Sequence, residues 1–180
     1  MKKIALLLAI ALLGTVSFAA TAEKSSGIPT GKFGFGAQGL TLTSGANTMP
    51  TIKFYLNDGT AIEGGVSYLS ESSGGASESS LSFMFAFKSI MMKAVNGLYP
   101  QWGISFVYVK NPGLLPNRSM LGIALNLGAE YFITPQFSIE GNLSPISYGS
   151  FTFPGGSTTA ISIFDSSVIP AAIVGAHLYL

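Results

Sequence analysis

The stretch LNLGAEYFITPQFSIEGNLS, Leu125 to Ser144, decides how this chain is read, because apolar and other residues alternate on both sides of Thr134-Pro135-Gln136. Leu125, Leu127, Ala129, Tyr131 and Ile133 fall on one face with Phe137, Ile139 and Leu143, while Asn126, Gly128, Glu130, Ser138, Glu140 and Asn142 fall on the other. A period of two makes the arms a β-hairpin. A three-residue turn also sets the register, placing Tyr131 opposite Ile139 and Glu130 opposite Glu140. The alternation leaves open which face meets water, since a soluble barrel and a membrane barrel have the same pattern turned inside out.

The rest of the chain narrows that choice. Lys2 and Lys3, the apolar run Ile4 to Leu13 and Ala20-Thr21-Ala22 form a secretory signal peptide, residues 1–22, with cleavage after Ala22 or, alternatively, after Ala19 or Ala20. Of the nine Lys and Arg, two belong to this leader, so seven remain against eight Asp and Glu, a balance that gives no footing for a nucleic-acid partner. The absence of cysteine excludes disulfides and thiolate chemistry. Charged residues make up 9% and apolar residues 48%, where a soluble domain has about 25% charged. Past the leader no apolar run is long enough for a spanning helix. An exported, charge-poor chain without such a helix points to a closed β-barrel in the outer membrane.

Eight strands are expected: Lys32 to Thr43, Thr51 to Leu56, Thr60 to Leu69, Leu81 to Val95, Leu98 to Lys110, Met120 to Ile133, Phe137 to Phe153 and Ile169 to Leu180. Short turns (Asn57-Asp58-Gly59, Asn96-Gly97, Thr134 to Gln136) alternate with longer connections rich in Ser, Gly, Pro and Asn: SGANTMP, SESSGGASESS, NPGLLPNRS and PGGSTTAISIFDSSV. Short turns on one rim and long loops on the other is the arrangement of bacterial outer-membrane barrels. The expected organisation is therefore all-β: a signal peptide, a mobile periplasmic tail over residues 23–31, and an eight-stranded antiparallel up-and-down transmembrane barrel over residues 32–180.

Two further registers follow from turn chemistry. A three-residue Asn-Asp-Gly turn sets Phe54 opposite Ile62 and Lys53 opposite Glu63. A two-residue Asn-Gly turn would set Phe85 opposite Tyr108 and Phe87 opposite Phe106.

The face opposite the apolar one holds Gly, Ala, Ser and Asn with at most one charge per strand, which suits a narrow lumen and not a hydrated outer wall. Outer-membrane lipids are then the partner of the apolar face, and Glu130 and Glu140 point inward. Aromatic belts are expected from Tyr99, Trp102, Tyr131 and Phe137 near the short turns and from Tyr68, Tyr108, Tyr148 and Phe151 near the long loops. Lys53, Glu63, Lys88, Glu130, Glu140 and His177 share the lumen-facing parity and form the candidate site, a structural charge cluster near the short-turn end.

KFYLNDGTAIEGGVSYLSES, LYPQWGISFVYV, LGAEYFITPQFSIEGNLS and the ending VGAHLYL together resemble the small outer-membrane β-barrel family of the OmpX and OmpW type, over essentially the whole mature chain. The resemblance implies a closing strand read by the outer-membrane insertion machinery. That strand commonly ends in an aromatic residue, where this chain has Leu180.

Chemistry beyond this is sparse. His177, the only histidine, lacks a serine in its own strand and has lumen parity, so no catalytic pair is assigned. It lacks metal-ligand spacing as well. No cofactor motif is present: the glycine clusters precede no strand-to-helix transition. Glu71 and Glu78 in SESSGGASESS read as part of a solvated loop in preference to a calcium site.

Two function classes follow. The first is a non-enzymatic barrel that stabilises the envelope, meets a surface partner or a small apolar ligand through its long loops, or passes apolar molecules sideways into the bilayer. The second is a soluble periplasmic lipid-binding barrel with its apolar faces around a cavity. A lipid A modifying enzyme is a distant third.

Overall fold

The computed structural model describes residues 28–42, 45–73, 76–92, 97–112, 117–163 and 172–180. The expected signal peptide and residues 23–27 of the tail lie outside the described residues. Nine strand segments are present: β1 (Phe33–Leu42), β2 (Gly45–Asn57), β3 (Thr60–Ser73), β4 (Ala76–Ile90), β5 (Leu98–Lys110), β6 (Ser119–Thr134), β7 (Phe137–Phe153), β8 (Gly156–Ile163) and β9 (Ala172–Tyr179). Neighbours are antiparallel, and the sheet closes through β1 with β9, β9 with β7, and β7 with β6. The fold is thus an eight-stranded up-and-down barrel. Its last wall position is shared, because β7 pairs with β9 from Phe137 to Leu143 and with β8 from Ile146 to Phe153.

Two of the turn-set registers stand as expected: Lys53 is opposite Glu63 and Phe54 opposite Ile62, while Tyr131 is opposite Ile139 and Glu130 opposite Glu140. The β4–β5 register does not. Phe85 pairs with Phe106 and Phe87 with Ile104, two residues away from the pairing a two-residue Asn-Gly turn would impose. The reason is that β4 stops at Ile90 and β5 starts at Leu98, a connection longer than two residues. An even slip leaves every side chain on its expected face.

The long-loop rim also departs from expectation. Much of SGANTMP and SESSGGASESS is strand, with β1–β2 paired up to Leu42 and Gly45 and β3–β4 up to Ser73 and Ala76. Likewise Gly156 to Ile163, expected as loop, forms β8. Alternating Ser, Thr and Ile with no charge to disfavour pairing explains why this segment extends the sheet. The side chains of Glu71 and Glu78 lie outside the described residues.

In β7 the face changes midway. Phe137, Ile139 and Leu143 point out, then Ser144 and Pro145 are both buried, and Ile146 and Tyr148 point out with the opposite parity. Proline has no N–H to give a ladder, and a bulge is where a strand tolerates it. The shift corrects one belt residue: Phe151 packs against the apolar layer inside the lumen. Tyr99 is a second correction, buried inside the barrel at the short-turn end. Trp102, Tyr131 and Phe137 keep the outer face near that rim, and Tyr68, Tyr108 and Tyr148 keep it near the other.

Large apolar side chains cover the outside, among them Phe35, Ile52, Phe83, Phe85, Leu121, Leu127, Leu143 and Val174. At the short-turn rim the end of the tail is fastened: Ile28 is buried beside Tyr55, Ala61, Ile90, Tyr99 and Tyr179, and Gly31 N–H donates to Tyr55 O.

Closure of the β1–β9 seam depends on Gly36. A Cβ there would lie 2.2 Å from the Ala176 carbonyl oxygen and 2.4 Å from His177 Cδ2. Gly36→Ala is expected to cost about 1 to 3 kcal/mol through overpacking, read as a lower temperature for loss of the compact, fast-migrating form on unboiled gels. An unchanged temperature would show that the seam has slack.

Candidate functional site

Three layers fill the lumen. At the short-turn end Tyr55, Tyr99, Tyr179 and Phe132 pack with Ile28, Ala61 and Ile90. Ring centroids 5.4 Å apart put Tyr99 edge-on to Phe132, and Phe132 lies 5.7 Å from Tyr179. At the other end Met49, Met84, Val107, Val109, Met120, Ala124 and Ile173 form an apolar layer. The side chains of Lys53, Lys88, Glu63, Glu130, Glu140 and His177 lie between these two lids.

The charge layer exists because strand alternation carries one ionisable side chain inward from each of β2, β3, β4, β6, β7 and β9 at similar heights. Lys53 Nζ donates to Glu130 Oε2 at 2.5 Å and to Glu140 Oε2 at 2.6 Å, with all three side chains fully buried. Lys88 Nζ donates to Glu63 and Glu140. His177 Nε2 stands 3.0 Å from Glu63 Oε1 and 3.2 Å from Thr51 Oγ1. All six expected residues therefore meet in one network. Their partners differ from the simplest reading, since Lys53 lies across from Glu63 in the sheet yet takes the carboxylates on the far wall. Glu63 receives Lys88 and His177 instead.

Neutral groups complete the layer, and the sequence reading had not singled them out. Gln38 Nε2 donates to Glu63 Oε1 at 2.7 Å and to Glu140 Oε1 at 3.2 Å. Asn142 Nδ2 donates to Glu140 at 2.7 Å, and Gln101 in turn donates to Asn142 at 3.3 Å. Glu130 accepts from Ser138 at 2.5 Å, from Tyr179 at 2.8 Å and from the Tyr55 hydroxyl. Lys53 Nζ also lies 5.2 Å from the Tyr55 ring centroid. The available signal was parity: each of these residues has the inward parity of its strand.

The arrangement suits holding charges together better than reaction. Ser138 is the cross-strand neighbour of His177 in β7 and β9, a pairing that in-strand neighbours could not show, but its hydroxyl is given to Glu130. Glu130, Glu140 and His177 offer three ligand atoms within 4.8 Å of one another. Lys53 Nζ already stands between the two carboxylates, so the position a metal would take there is filled by the chain's own ammonium. Three carboxylates are thus held by two ammonium groups, one imidazole and a shell of donors. Such a buried group of charges is tolerable only when its lone pairs and protons are matched in this way.

No protein-family model matches the chain, and no curated protein matches it either. Among solved structures it is similar to the crystal structure of Ail, the attachment invasion locus protein of Yersinia pestis, with 10% identity over 83% of this chain and 95% of that one and a TM-score of 0.35. The assignment as a closed eight-stranded barrel stands on the chain's own strand pairings.

Proposed function

We propose that this chain is an integral outer-membrane β-barrel with a structural role, a sealed non-enzymatic wall element that stabilises the envelope and presents its long-rim hairpins outside the cell. The observation that carries this reading is the inversion of polarity. Phe35, Ile52, Phe83, Phe85, Leu121, Leu127 and Val174 point outward, while Lys53, Lys88, Glu63, Glu130 and Glu140 are buried within. A water-soluble barrel with an apolar cavity has the reverse arrangement, so the lipid-binding alternative loses its support. The tyrosine and methionine lids on either side of the ion network argue against diffusion of solutes along the lumen. Lipid A chemistry finds no support in Ser138 and His177, whose side chains are enclosed and bound to carboxylates.

Orientation follows from the two rims: the short turns at Asn57 to Gly59 and Thr134 to Gln136 face the periplasm, and the β3–β4 and β7–β8 hairpins face outside. A tag inserted at Gly74, which lies outside the described residues between β3 and β4, should be labelled on intact cells. The protein should also stay with the outer-membrane pellet until detergent is added. Labelling only after the outer membrane is broken, or release without detergent, would sink the reading.

A further inference from the structure

The outer wall is hollowed between β1 and β4, where Gly64 stands in a lipid-facing row of large residues. Phe35, Ile52, Phe54, Ile62, Val66 and Phe85 surround a depression of about 760 Å³ whose floor is Gly64 and its neighbouring backbone. That size is within the roughly 300 to 1,000 Å³ of ligand sites. The lining is not merely flat sheet. Phe33 and Phe54 rings, 4.8 Å apart, close the hollow toward the short-turn rim, and Lys32 is exposed immediately before Phe33.

We propose that this hollow seats one acyl chain of a phosphate-bearing glycerolipid of the periplasmic leaflet, with the Lys32 ammonium beside the phosphate. The proposal rests on the membrane reading above and on three further observations. From Ile62 to Val66 the hollow spans four residue steps, about 13 Å of strand. That is close to half the roughly 25 Å apolar band of such a barrel, one leaflet's share. Its Phe33 and Phe54 end is the short-turn end, where a periplasmic-leaflet headgroup would lie, and the exposed Lys32 is next to Phe33 in the chain. Its floor is vacant by sequence, since a Cβ on Gly64 would meet only the Met84 carbonyl oxygen, at 3.9 Å. A larger residue would therefore extend into the hollow without disturbing the wall behind it. Bulk lipid must cover every part of the outer face, but a recess lined by Phe35, Phe54 and Phe85 offers a chain more atoms in contact than flat wall does, and in hydrocarbon, where no surface is being taken out of water, that added van der Waals contact is what favours the site.

The test uses the full-length mature barrel in nanodiscs of phosphatidylethanolamine doped with the same lipid carrying a photoreactive acyl chain. Only preparations that show the compact form on unboiled gels are used, so failure of membrane assembly is seen separately and counts against the membrane reading, not the lipid site. Labelling is expected to concentrate on the peptides of β2 to β4 that contain Ile52, Ile62 and Phe85. Gly64→Phe should reduce it severalfold, as an aromatic ring fills the space in which several methylenes make their van der Waals contacts. Gly64→Leu, a smaller filler, should reduce it less. Leu127→Phe on the far wall should leave it unchanged. Lys32→Gln should weaken labelling by the phospholipid and not by a photoreactive diacylglycerol of the same chain length. Even labelling around the barrel, or equal labelling of Gly64→Phe and the parent chain, overturns the proposal. Photocrosslinked barrel dimers joined through the Phe85 peptide overturn it too, because the occupant is then a second copy.

Discussion

Lys53→Met is expected to lower the stability of the folded barrel by about 3 to 5 kcal/mol, the cost of leaving buried charges without their partner. Lys53 is the ammonium shared by Glu130 and Glu140, which face each other across β6 and β7. Removing it leaves like charges opposed on neighbouring strands, an arrangement that is unfavourable by itself. Lys88 still holds Glu140 but makes no contact with Glu130. Glu130 would keep its donors Tyr55, Ser138 and Tyr179, which satisfy its lone pairs without cancelling its charge. Adding Glu130→Gln to the same chain should therefore recover part of the loss, with a coupling of about 0.5 to 3 kcal/mol for groups in one network. Unfolding in detergent, followed by the loss of the compact form with temperature or denaturant, measures both variants and their combination. If the two changes simply add, the Lys53–Glu130 contact does not hold the lumen together.

With the outer face in hydrocarbon, as proposed above, Phe85→Arg should cost about 2 to 4 kcal/mol, the penalty of an arginine at mid-bilayer depth on the lipid face of a barrel. Phe85 is 50% exposed in the middle of β4, paired with Gly64 on one side and Phe106 on the other, far from either rim where an arginine could reach headgroups. Its neighbour Ala86 is 2% exposed and faces the lumen opposite Glu63 and Ser105. Ala86→Ser adds a hydroxyl beside Ser105 and Glu63 with little change in size, so its effect should be the smaller, at most about 1 to 3 kcal/mol, the cost of a buried hydroxyl left without a partner. Yield of assembled barrel in the outer membrane and unfolding in lipid vesicles compare the two. Equal tolerance of Phe85→Arg and Ala86→Ser would mean that the outer face is not in hydrocarbon.

The period of two was legible from the sequence alone, and with it the strands, the face of nearly every side chain and the inward direction of Lys53, Glu63, Lys88, Glu130, Glu140 and His177. Alternation is a local property, fixed by backbone geometry within each strand. The tight turns at Asn57 to Gly59 and Thr134 to Gln136 extended that legibility to two registers, including the meeting of Glu130 with Glu140. Where the connection is longer, between Ile90 and Leu98, the register came from pairing along the whole β4–β5 ladder, and the turn residues misled by two positions. The bulge at Ser144 and Pro145 and the added strand β8 were likewise hidden, since both depend on what β7 meets on its two sides. Which carboxylate each ammonium takes was decided only in three dimensions. Lys53 and Glu63 are neighbours in the sheet, yet Lys53 reaches Glu130 and Glu140, and Lys88 takes Glu63, because closure of β1 on β9 sets the stagger that brings opposite walls to the same height. A strand's sequence determines which way a side chain points, but the distance across a closed barrel belongs to all eight strands together.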